Sequence, residues 1–211
     1  MEPGPDYSFE RVAILRGLLR VAGVDEVGRG PLCGPVVAAA VVLDAENIPD
    51  GLDDSKKLSQ ARRETLFHEV MASAEVAVGM AAVDEIDTLN ILRASHLAMT
   101  RAIAGLGQTP NHILIDGHMI PQGLTISSET LVKGDGRSQS IAAASIVAKV
   151  TRDLLMVALA QHYPGYGWDK NAGYPTKLHL SALQNLGVTP HHRRSFKPVH
   201  NILYQAKFIN P

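Results

Sequence analysis

The sequence has little of what a disulfide-braced or membrane-bound protein needs. It contains one cysteine, Cys33, which excludes an intramolecular disulfide framework and any zinc site that needs several thiolates. The longest uncharged apolar run, from Gly30 to Leu43, is shorter than the ~18 residues that cross a bilayer, and it contains two prolines. The N-terminal stretch lacks the layout of a secretory signal, because acidic residues open it and arginines interrupt its apolar patch. We therefore expect a cytoplasmic protein with no membrane span.

What is present is the composition of a folded protein with one core. Hydrophobic residues make up 45% of the chain and charged residues 19%, which argues against intrinsic disorder. A length of 211 residues suits one well-buried domain with an appendage, and it is short for two independent domains of ordinary size. We expect an N-terminal extension at 1–20, a core at 21–161 and a C-terminal part at 162–211.

The formal net charge of −1 conceals an uneven distribution. Residues 1–161 carry 14 Lys and Arg against 20 Asp and Glu, whereas residues 162–211 carry 6 against 1. The second segment also holds 7 of the 10 aromatic residues and 5 of the 9 histidines. Such a segment suits contact with a polyanion, since cations meet phosphates and rings stack on sugars or bases. A solvated basic tail with a few core aromatics gives the same counts, so charge alone leaves both interpretations open.

Apolar strand patterns alternate with helical patterns along the chain. We predict strands at 21–27, 36–43, 75–83, 112–115 and 125–133. We predict helices at 60–73, 84–104, 138–161 and 177–185, and a last helix after Pro198. Candidate N-caps of the first three helices are Ser59, Asp84, and Ser138 or Ser140. This order predicts a layered α/β fold in which helices flank a mixed sheet.

Four acidic residues follow short apolar strands, although each taken alone is an ordinary turn residue. They are Asp25, Glu26, Asp116 and Asp135. In a regular strand Asp25 and Glu26 face opposite sides of the sheet, which buries one carboxylate at high cost unless a cation compensates it. The glycine turn that follows would let Glu26 leave this alternation, so that both carboxylates converge on one divalent ion.

Carboxylates without supporting cysteine or histidine spacing are hard oxygen ligands. They suit Mg²⁺ or Mn²⁺ rather than Zn²⁺. Two such ions about 4 Å apart activate a water against a phosphodiester and stabilise the departing oxygen. The four acids therefore favour metal-assisted phosphoryl transfer as the chemistry of the site.

Several longer blocks occur around these acids. They are Asp25-Glu26-Val27-Gly28-Arg29-Gly30, Asp53-Asp54-Ser55-Lys56-Lys57-Leu58-Ser59, Leu89-Asn90-Ile91, Ile115-Asp116-Gly117, Val132-Lys133-Gly134-Asp135, Ala143-Ala144-Ser145-Ile146-Val147-Ala148-Lys149-Val150-Thr151-Arg152-Asp153, Gly173-Tyr174-Pro175-Thr176 and His192-Arg193-Arg194-Ser195-Phe196. In this order they resemble the type 2 ribonuclease H family, the bacterial ribonuclease HII, from about Val21 to Val199.

The resemblance implies an endonuclease that hydrolyses the RNA strand of RNA/DNA hybrids. It also implies nicking of duplex DNA on the 5′ side of a single embedded ribonucleotide, which leaves a 3′-hydroxyl and a 5′-phosphate. The implied architecture is a ribonuclease H-like core with a mixed central sheet flanked by helices, followed by a small helical C-terminal part. A monomer is implied as well, and no protein partner is indicated.

The resemblance also assigns roles to residues. The ligands of two Mg²⁺ or Mn²⁺ ions would be Asp25, Glu26, Asp116 and Asp135, with Asp25 and Asp116 shared between the ions. Gly28, Arg29 and Gly30 would read the ribose 2′-hydroxyl, since a glycine backbone can approach a sugar closely. The ring of Tyr174 would pack on the following deoxyribose and clash with an extra hydroxyl there. Lys56 and Lys57 are candidates for phosphate contact, although the acids beside them offer equally good ion pairs.

Three other functions share some features with this sequence. A dinucleotide-binding loop needs a third glycine where Cys33 stands, and the adjacent acids would repel a pyrophosphate. A cysteine hydrolase is disfavoured because Cys33 lies in an apolar Gly/Pro stretch typical of a small buried residue. A non-catalytic nucleic-acid-binding module stays as the alternative, because it needs the basic C-terminal part but not the four acids. Replacing Asp25 by Asn separates that module from an enzyme.

Overall fold

Five strands form one mixed sheet in the computed structural model, which describes residues 4–204. The strands are β1 (Val21–Val27), β2 (Val36–Val42), β3 (Glu75–Ala81), β4 (His112–Asp116) and β5 (Ser127–Leu131). Their order across the sheet is β3-β2-β1-β4-β5. β1 pairs antiparallel with β2 and parallel with β4, while β2 pairs antiparallel with β3 and β4 parallel with β5. The predicted mixed sheet is therefore confirmed.

Eight helices surround this sheet within the described part of the chain. They are α1 (Ser8–Leu15), α2 (Gln60–Ser73), α3 (Val83–Leu89), α4 (Ile91–Ala104), α5 (Gln139–His162), α6 (Trp168–Asn171), α7 (Lys177–Leu186) and α8 (Lys197–Tyr204). A 3₁₀ turn, Gly134–Gly136, precedes α5. None of these helices is long and apolar enough to cross a membrane.

The sheet is buried on both faces because β2 contributes to two apolar clusters. Val36, Ala38 and Ala40 pack in the cluster that contains the inner side of α4. Ala39 and Val41 point the other way, into the cluster formed with α2 and α5. Alternate residues of one strand thus serve two layers, which explains why β2 is a continuous apolar run rather than an alternating one.

Helix α5 lies unusually close to the central strand. A Cβ on Gly23 of β1 would lie 2.1 Å from the carbonyl carbon of Ser140, so only glycine allows this approach. Ser138 begins the helix as its N-cap, since its hydroxyl accepts the N–H of Ile141. The contact brings the start of α5, and the 3₁₀ turn before it, to the centre of the sheet.

The predicted helix over 84–104 is wrong in two respects: its N-cap is Ala82 rather than Asp84, because the helix already begins at Val83, and it is two helices. Asn90 separates α3 from α4 with a φ of 72°. Its side-chain oxygen accepts the N–H groups of Leu92 and Arg93, so it caps the second helix. Asparagine tolerates this left-handed backbone and supplies the cap, which makes the break stable. Two short helices, α1 and α6, were also absent from the prediction.

The C-terminal part packs on the core. Tyr166 and Trp168 are buried and stack with ring centroids 5.0 Å apart, in one cluster with Cys33. These rings are core aromatics, as the second interpretation of the segment supposed, and they are not available to stack on nucleic-acid bases. His192, which begins the last of the sequence blocks quoted above, is only 1% exposed. The last seven residues of the segment lie outside the described chain.

The N-terminal extension contributes to the same core. Ala13 of α1 packs in a cluster with Val21, Leu114, Leu131 and Ile141, which belong to the sheet and to α5. The division of the chain at residues 20 and 161 stays a prediction.

Candidate active site

The strand register brings three of the four acids to one edge of the sheet. Val24 of β1 lies opposite Ile115 of β4 in the parallel pair, so the next residues, Asp25 and Asp116, end up side by side. The 3₁₀ turn after β5 then places Asp135 at the same edge, and the Gly134 N–H donates to Asp116 Oδ1 at 2.7 Å. The carboxyl ends of three neighbouring strands meet here, as the sequence indicated.

Glu26 reaches this edge by a route that differs from the expected one. β1 continues through both acids, with Glu26 opposite Ala38 and Val27 opposite Val37 in the ladder to β2. The carboxylate of Glu26 nevertheless lines the cleft, where it accepts a hydrogen bond from Arg29 Nη1 at 3.1 Å. Asp25 is 5% exposed, and its Oδ1 accepts the N–H of Glu26 at 2.7 Å.

The acids repel one another, and burial adds to the effect. Burial raises the pKa of Asp25 well above its usual value, and the negative charges of Glu26, Asp116 and Asp135 raise it further. The pKa of Glu26 is raised by burial and lowered again by Arg29. Burial and the charge of Asp116 raise the pKa of Asp135, while Lys56 opposes the shift. A divalent cation would relieve both the repulsion and the desolvation, so this donor set fits Mg²⁺ or Mn²⁺.

Glu26, Asp116 and Asp135 line an open cleft rather than a closed cage, and Asp25 is buried beside them. The cleft measures about 1020 Å³. Its lining includes Glu26, Arg29, Asp54, Lys56, Lys57, Leu92, His96, Asp116, His118 and Asp135. An open site of this kind leaves room for a substrate strand and for water on a metal ion, which Mg²⁺ retains readily.

A tighter group of metal-type side chains lies elsewhere, in the interior. Within residues 4–204, Cys33, His179 and His192 form the one set of three whose ligand atoms all lie within 4.8 Å of one another. The two histidines already bond each other at 3.1 Å between their Nε2 atoms. The positive charges of Arg152 and Arg193 act on Cys33 as well. Two neighbouring guanidiniums make this a poor cation site, and we interpret the set as part of the core.

The two candidate lysines have different neighbours. Lys56 Nζ lies 3.6 Å from Asp135 Oδ2 and 3.8 Å from Asp54 Oδ1, so it reaches the acid edge. Lys57 Nζ lies 3.2 Å from Asp53 Oδ1, one helical turn back in sequence. Both side chains line the cleft and are more than half exposed. Lys57 therefore makes the local ion pair that the sequence allowed, whereas Lys56 joins the loop to the acids.

The glycine turn lies directly against Tyr174. A Cβ on Gly30 would lie 3.3 Å from Cε1 of the Tyr174 ring. Gly28 has a φ of +97°, and a Cβ there would meet Nε of Arg152 at 2.3 Å. Gly28 therefore has no room for a side chain, whereas Gly30 is in tight contact with the Tyr174 ring, which the structure brings to the turn from the far C-terminal part.

Two arginines near the turn have no role in the prediction from sequence. Arg152 and Arg193 are 1% and 0% exposed and lie behind the glycine turn. Both occur in the blocks quoted above, but nothing in their spacing pointed to the turn. Lys149 and Asp153, which belong to the same block as Arg152, form an ion pair at 2.7 Å.

The sequence model of the ribonuclease HII family matches residues 22–199. The chain belongs to the ribonuclease HII family. It is 67% identical over 201 residues to the ribonuclease HII of Ruegeria pomeroyi, covering 95% of this chain and 86% of that one. It is 63% identical over 207 residues to that of Cereibacter sphaeroides, covering 98% of each.

Solved structures agree with this assignment. Ribonuclease H2 from Pyrococcus horikoshii superposes with a TM-score of 0.75 at 29% identity, covering 91% of this chain and 100% of that one. The ribonuclease HII in the PCNA complex from Archaeoglobus fulgidus gives 0.72 at 27% identity, covering 85% and 96%. As a family member the chain is a ribonuclease H, a metal-dependent endonuclease that acts on nucleic acids such as RNA/DNA hybrids. The non-catalytic module is thereby set aside.

Proposed function

We propose that the chain cuts the RNA strand of RNA/DNA hybrids and nicks duplex DNA 5′ of a single embedded ribonucleotide by two-metal-ion catalysis. The observation that carries the proposal is the meeting of Asp25, Glu26, Asp116 and Asp135 at one edge of a cleft, beside a bare glycine turn. The acids supply a metal site, the cleft admits a strand, and the turn supplies a place to recognise a sugar.

Each acid has a defined part in this proposal. Asp25 and Asp116 lie on adjacent strands at the middle of the edge, which supports them as ligands shared between two ions. Glu26 and Asp135 flank them and would each hold one ion. Mg²⁺ or Mn²⁺ held there would supply an activated water for in-line attack and positive charge to stabilise the departing 3′ oxygen. Lys56, paired with Asp135, is proposed to contact the phosphate.

Ribose selection is assigned to the turn and the tyrosine. The backbone of Gly28, Arg29 and Gly30 can approach a 2′-hydroxyl, the group that distinguishes RNA from DNA at one position. Tyr174 lies against Gly30 and is 43% exposed, so its ring is available to the sugar that follows the cut. Arg29 and Lys57 line the same cleft and are proposed to contact phosphates.

The test uses three labelled duplexes: an RNA/DNA hybrid, a DNA duplex with one ribonucleotide and an all-DNA duplex. With Mg²⁺ or Mn²⁺ we expect the hybrid to be degraded, the second duplex to be nicked immediately before the ribonucleotide, and the third to stay intact. A chelator should abolish both cuts. Cutting that survives removal of metal would defeat the metal part, and equal cutting of the two DNA duplexes would defeat the 2′-hydroxyl part.

A further inference from the structure

Two buried arginines behind the glycine turn have their donors satisfied by the backbone. Every hydrogen bond that the guanidiniums of Arg152 and Arg193 make within residues 4–204 goes to a backbone carbonyl. Burial lowers the pKa of Arg193 to about 9, and the charge of Arg152 lowers it as well. A buried cation is costly unless its donors are hydrogen-bonded. The hydrogen bonds from the two guanidiniums therefore hold these carbonyls in their positions.

The acceptors of Arg193 are concentrated in the turn. Its Nη2 donates to Gly28 O at 2.6 Å, and its Nη1 donates to Arg29 O at 3.0 Å and Pro31 O at 2.8 Å. Nε and Nη2 both reach Gly34 O, at 3.0 and 2.9 Å. One planar fork therefore collects carbonyls from four residues between 28 and 34. Lysine cannot copy this arrangement, because its ammonium lacks the fork.

The backbone of Arg193 is anchored to the same segment. Its N–H donates to Leu32 O at 2.8 Å, and Gly34 N–H donates to His191 O at 2.9 Å. An isolated antiparallel bridge joins Cys33 and His192 between these bonds. The guanidinium thus starts from a fixed point, although it lies more than 150 residues after the turn in sequence.

The direction of the carbonyls determines the direction of the N–H groups. In a trans peptide the N–H of one residue points opposite to the C=O of the residue before it. Since Gly28 O and Arg29 O face Arg193, the N–H groups of Arg29 and Gly30 face away from it. Both residues are exposed, and neither N–H donates to another group in the part of the chain described. Arg29 lines the cleft.

We propose that Arg193 is a positioning residue: by holding the carbonyls of Gly28 and Arg29, it aims the N–H groups of Arg29 and Gly30 outward as a preorganised donor pair for the oxygens of a ribonucleotide. Arg152 supports the turn from beneath Gly28, where it leaves no room for a side chain. The inference rests on the proposed function, and it gives a second residue of the C-terminal part, besides Tyr174, a role in substrate selection.

The test compares Arg193→Lys with Arg194→Lys, its exposed neighbour, in the full chain. KM and kcat are measured on the duplex with one ribonucleotide, and the all-DNA duplex is used as a competitive inhibitor to give Ki. In Arg193→Lys we expect KM for the ribonucleotide duplex to rise about tenfold, the effect of misdirected hydrogen-bond donors, while Ki for DNA changes less than about twofold. Arg194→Lys should leave both constants unchanged. A general distortion of the fold would raise KM and Ki together. Partial unfolding would leave both constants unchanged and lower only the fraction of active enzyme.

An unchanged ratio of Ki to KM in folded Arg193→Lys would overturn the inference and leave the proposed function intact. A wild-type enzyme that treats the two duplexes alike would overturn the proposed function itself. If Arg193→Lys does not fold, the wild-type amide resonances of Arg29 and Gly30 decide. We expect them to shift more with the ribonucleotide duplex than with the all-DNA duplex, and an equal response to both would refute the inference.

Discussion

The acid edge and the arginine centre are opposite solutions to the placement of charge. At the acid edge, Asp25, Glu26, Asp116 and Asp135 repel one another beside an open cleft. In the arginine centre, Arg152 and Arg193 are buried and satisfied by carbonyl dipoles of the chain itself. The acid edge is destabilised until a cation binds, whereas the arginine donors already have their hydrogen-bond acceptors within the fold. Substitutions at the acid edge should therefore lower activity without lowering stability. Substitutions in the arginine centre should lower both stability and activity.

The largest effect is expected for Asp25→Asn. Turnover should fall by about 10³-fold or more, because a metal ligand is lost, while substrate binding is retained. Its melting temperature without metal should rise by about 2–4 °C, since a buried, repelled charge is removed. Thermal unfolding and single-turnover cleavage measure the two effects, with the exposed Asp84→Asn as control. A lower melting temperature for Asp25→Asn would break the contrast between the two regions.

The opposite result is expected for Arg152→Met. This change leaves the carbonyls of Cys33, Pro35 and Ala172 without their donor, so the free energy of unfolding should drop by about 3–5 kcal/mol. Urea unfolding checks this value, and the exposed Arg93→Met, with a change below about 0.5 kcal/mol, is the control. Equal stability of the two variants would show that the arginine centre does not hold the C-terminal part on the core.

A pH effect of intermediate size is expected from His192, which lies next to the arginine centre. Its Nδ1 accepts the Thr189 N–H at 3.0 Å, and burial together with His179 lowers its pKa from 6.5 to about 4. Below pH 6.5 the imidazole of His192 takes up a proton in the unfolded chain but stays neutral in the folded protein. The free energy of unfolding therefore decreases as the pH falls. Between pH 7 and pH 5 the loss from this group should be about 2 kcal/mol. In urea unfolding, His192→Gln should not show this pH-dependent loss of stability, whereas the exposed His200→Gln should show it in full. Parallel curves of unfolding free energy against pH for the wild type and both variants would contradict the assignment to His192.

The smallest effect is expected for Gly30→Ala, and it should be smaller than that of Gly28→Ala in the same turn. Gly30→Ala needs the Tyr174 ring to move by only a few tenths of an ångström, so we expect the free energy of unfolding to change by less than about 1 kcal/mol. We also expect about a threefold loss in the preference for the ribonucleotide duplex, a cost similar to one weak contact. Gly28→Ala meets the fixed Arg152 at positive φ and should lose more than about 2 kcal/mol. Melting curves and cleavage rates compare them, and equal losses would mean that the turn is not braced from behind.

Local pattern was a good guide where a residue's role depends on its own strand. β1 and α2 occupy the predicted ranges, and Ser59 caps α2 through the Arg62 N–H. The acids could be recognised because a charge at the end of an apolar strand is costly without a partner. The break at Asn90 was missed because its left-handed backbone is stabilised by two hydrogen bonds that composition does not reveal.

The sequence by itself determined the central strands, the acids at their ends and the hard-cation chemistry those acids imply, since each depends on neighbours within a few residues. Only the tertiary structure decided that Tyr174 lies on Gly30 and that Arg193 binds the carbonyls of the turn. The physical reason is that Arg193 binds peptide carbonyls. Every residue has a carbonyl, so no side-chain pattern marks the ones that a distant guanidinium will choose.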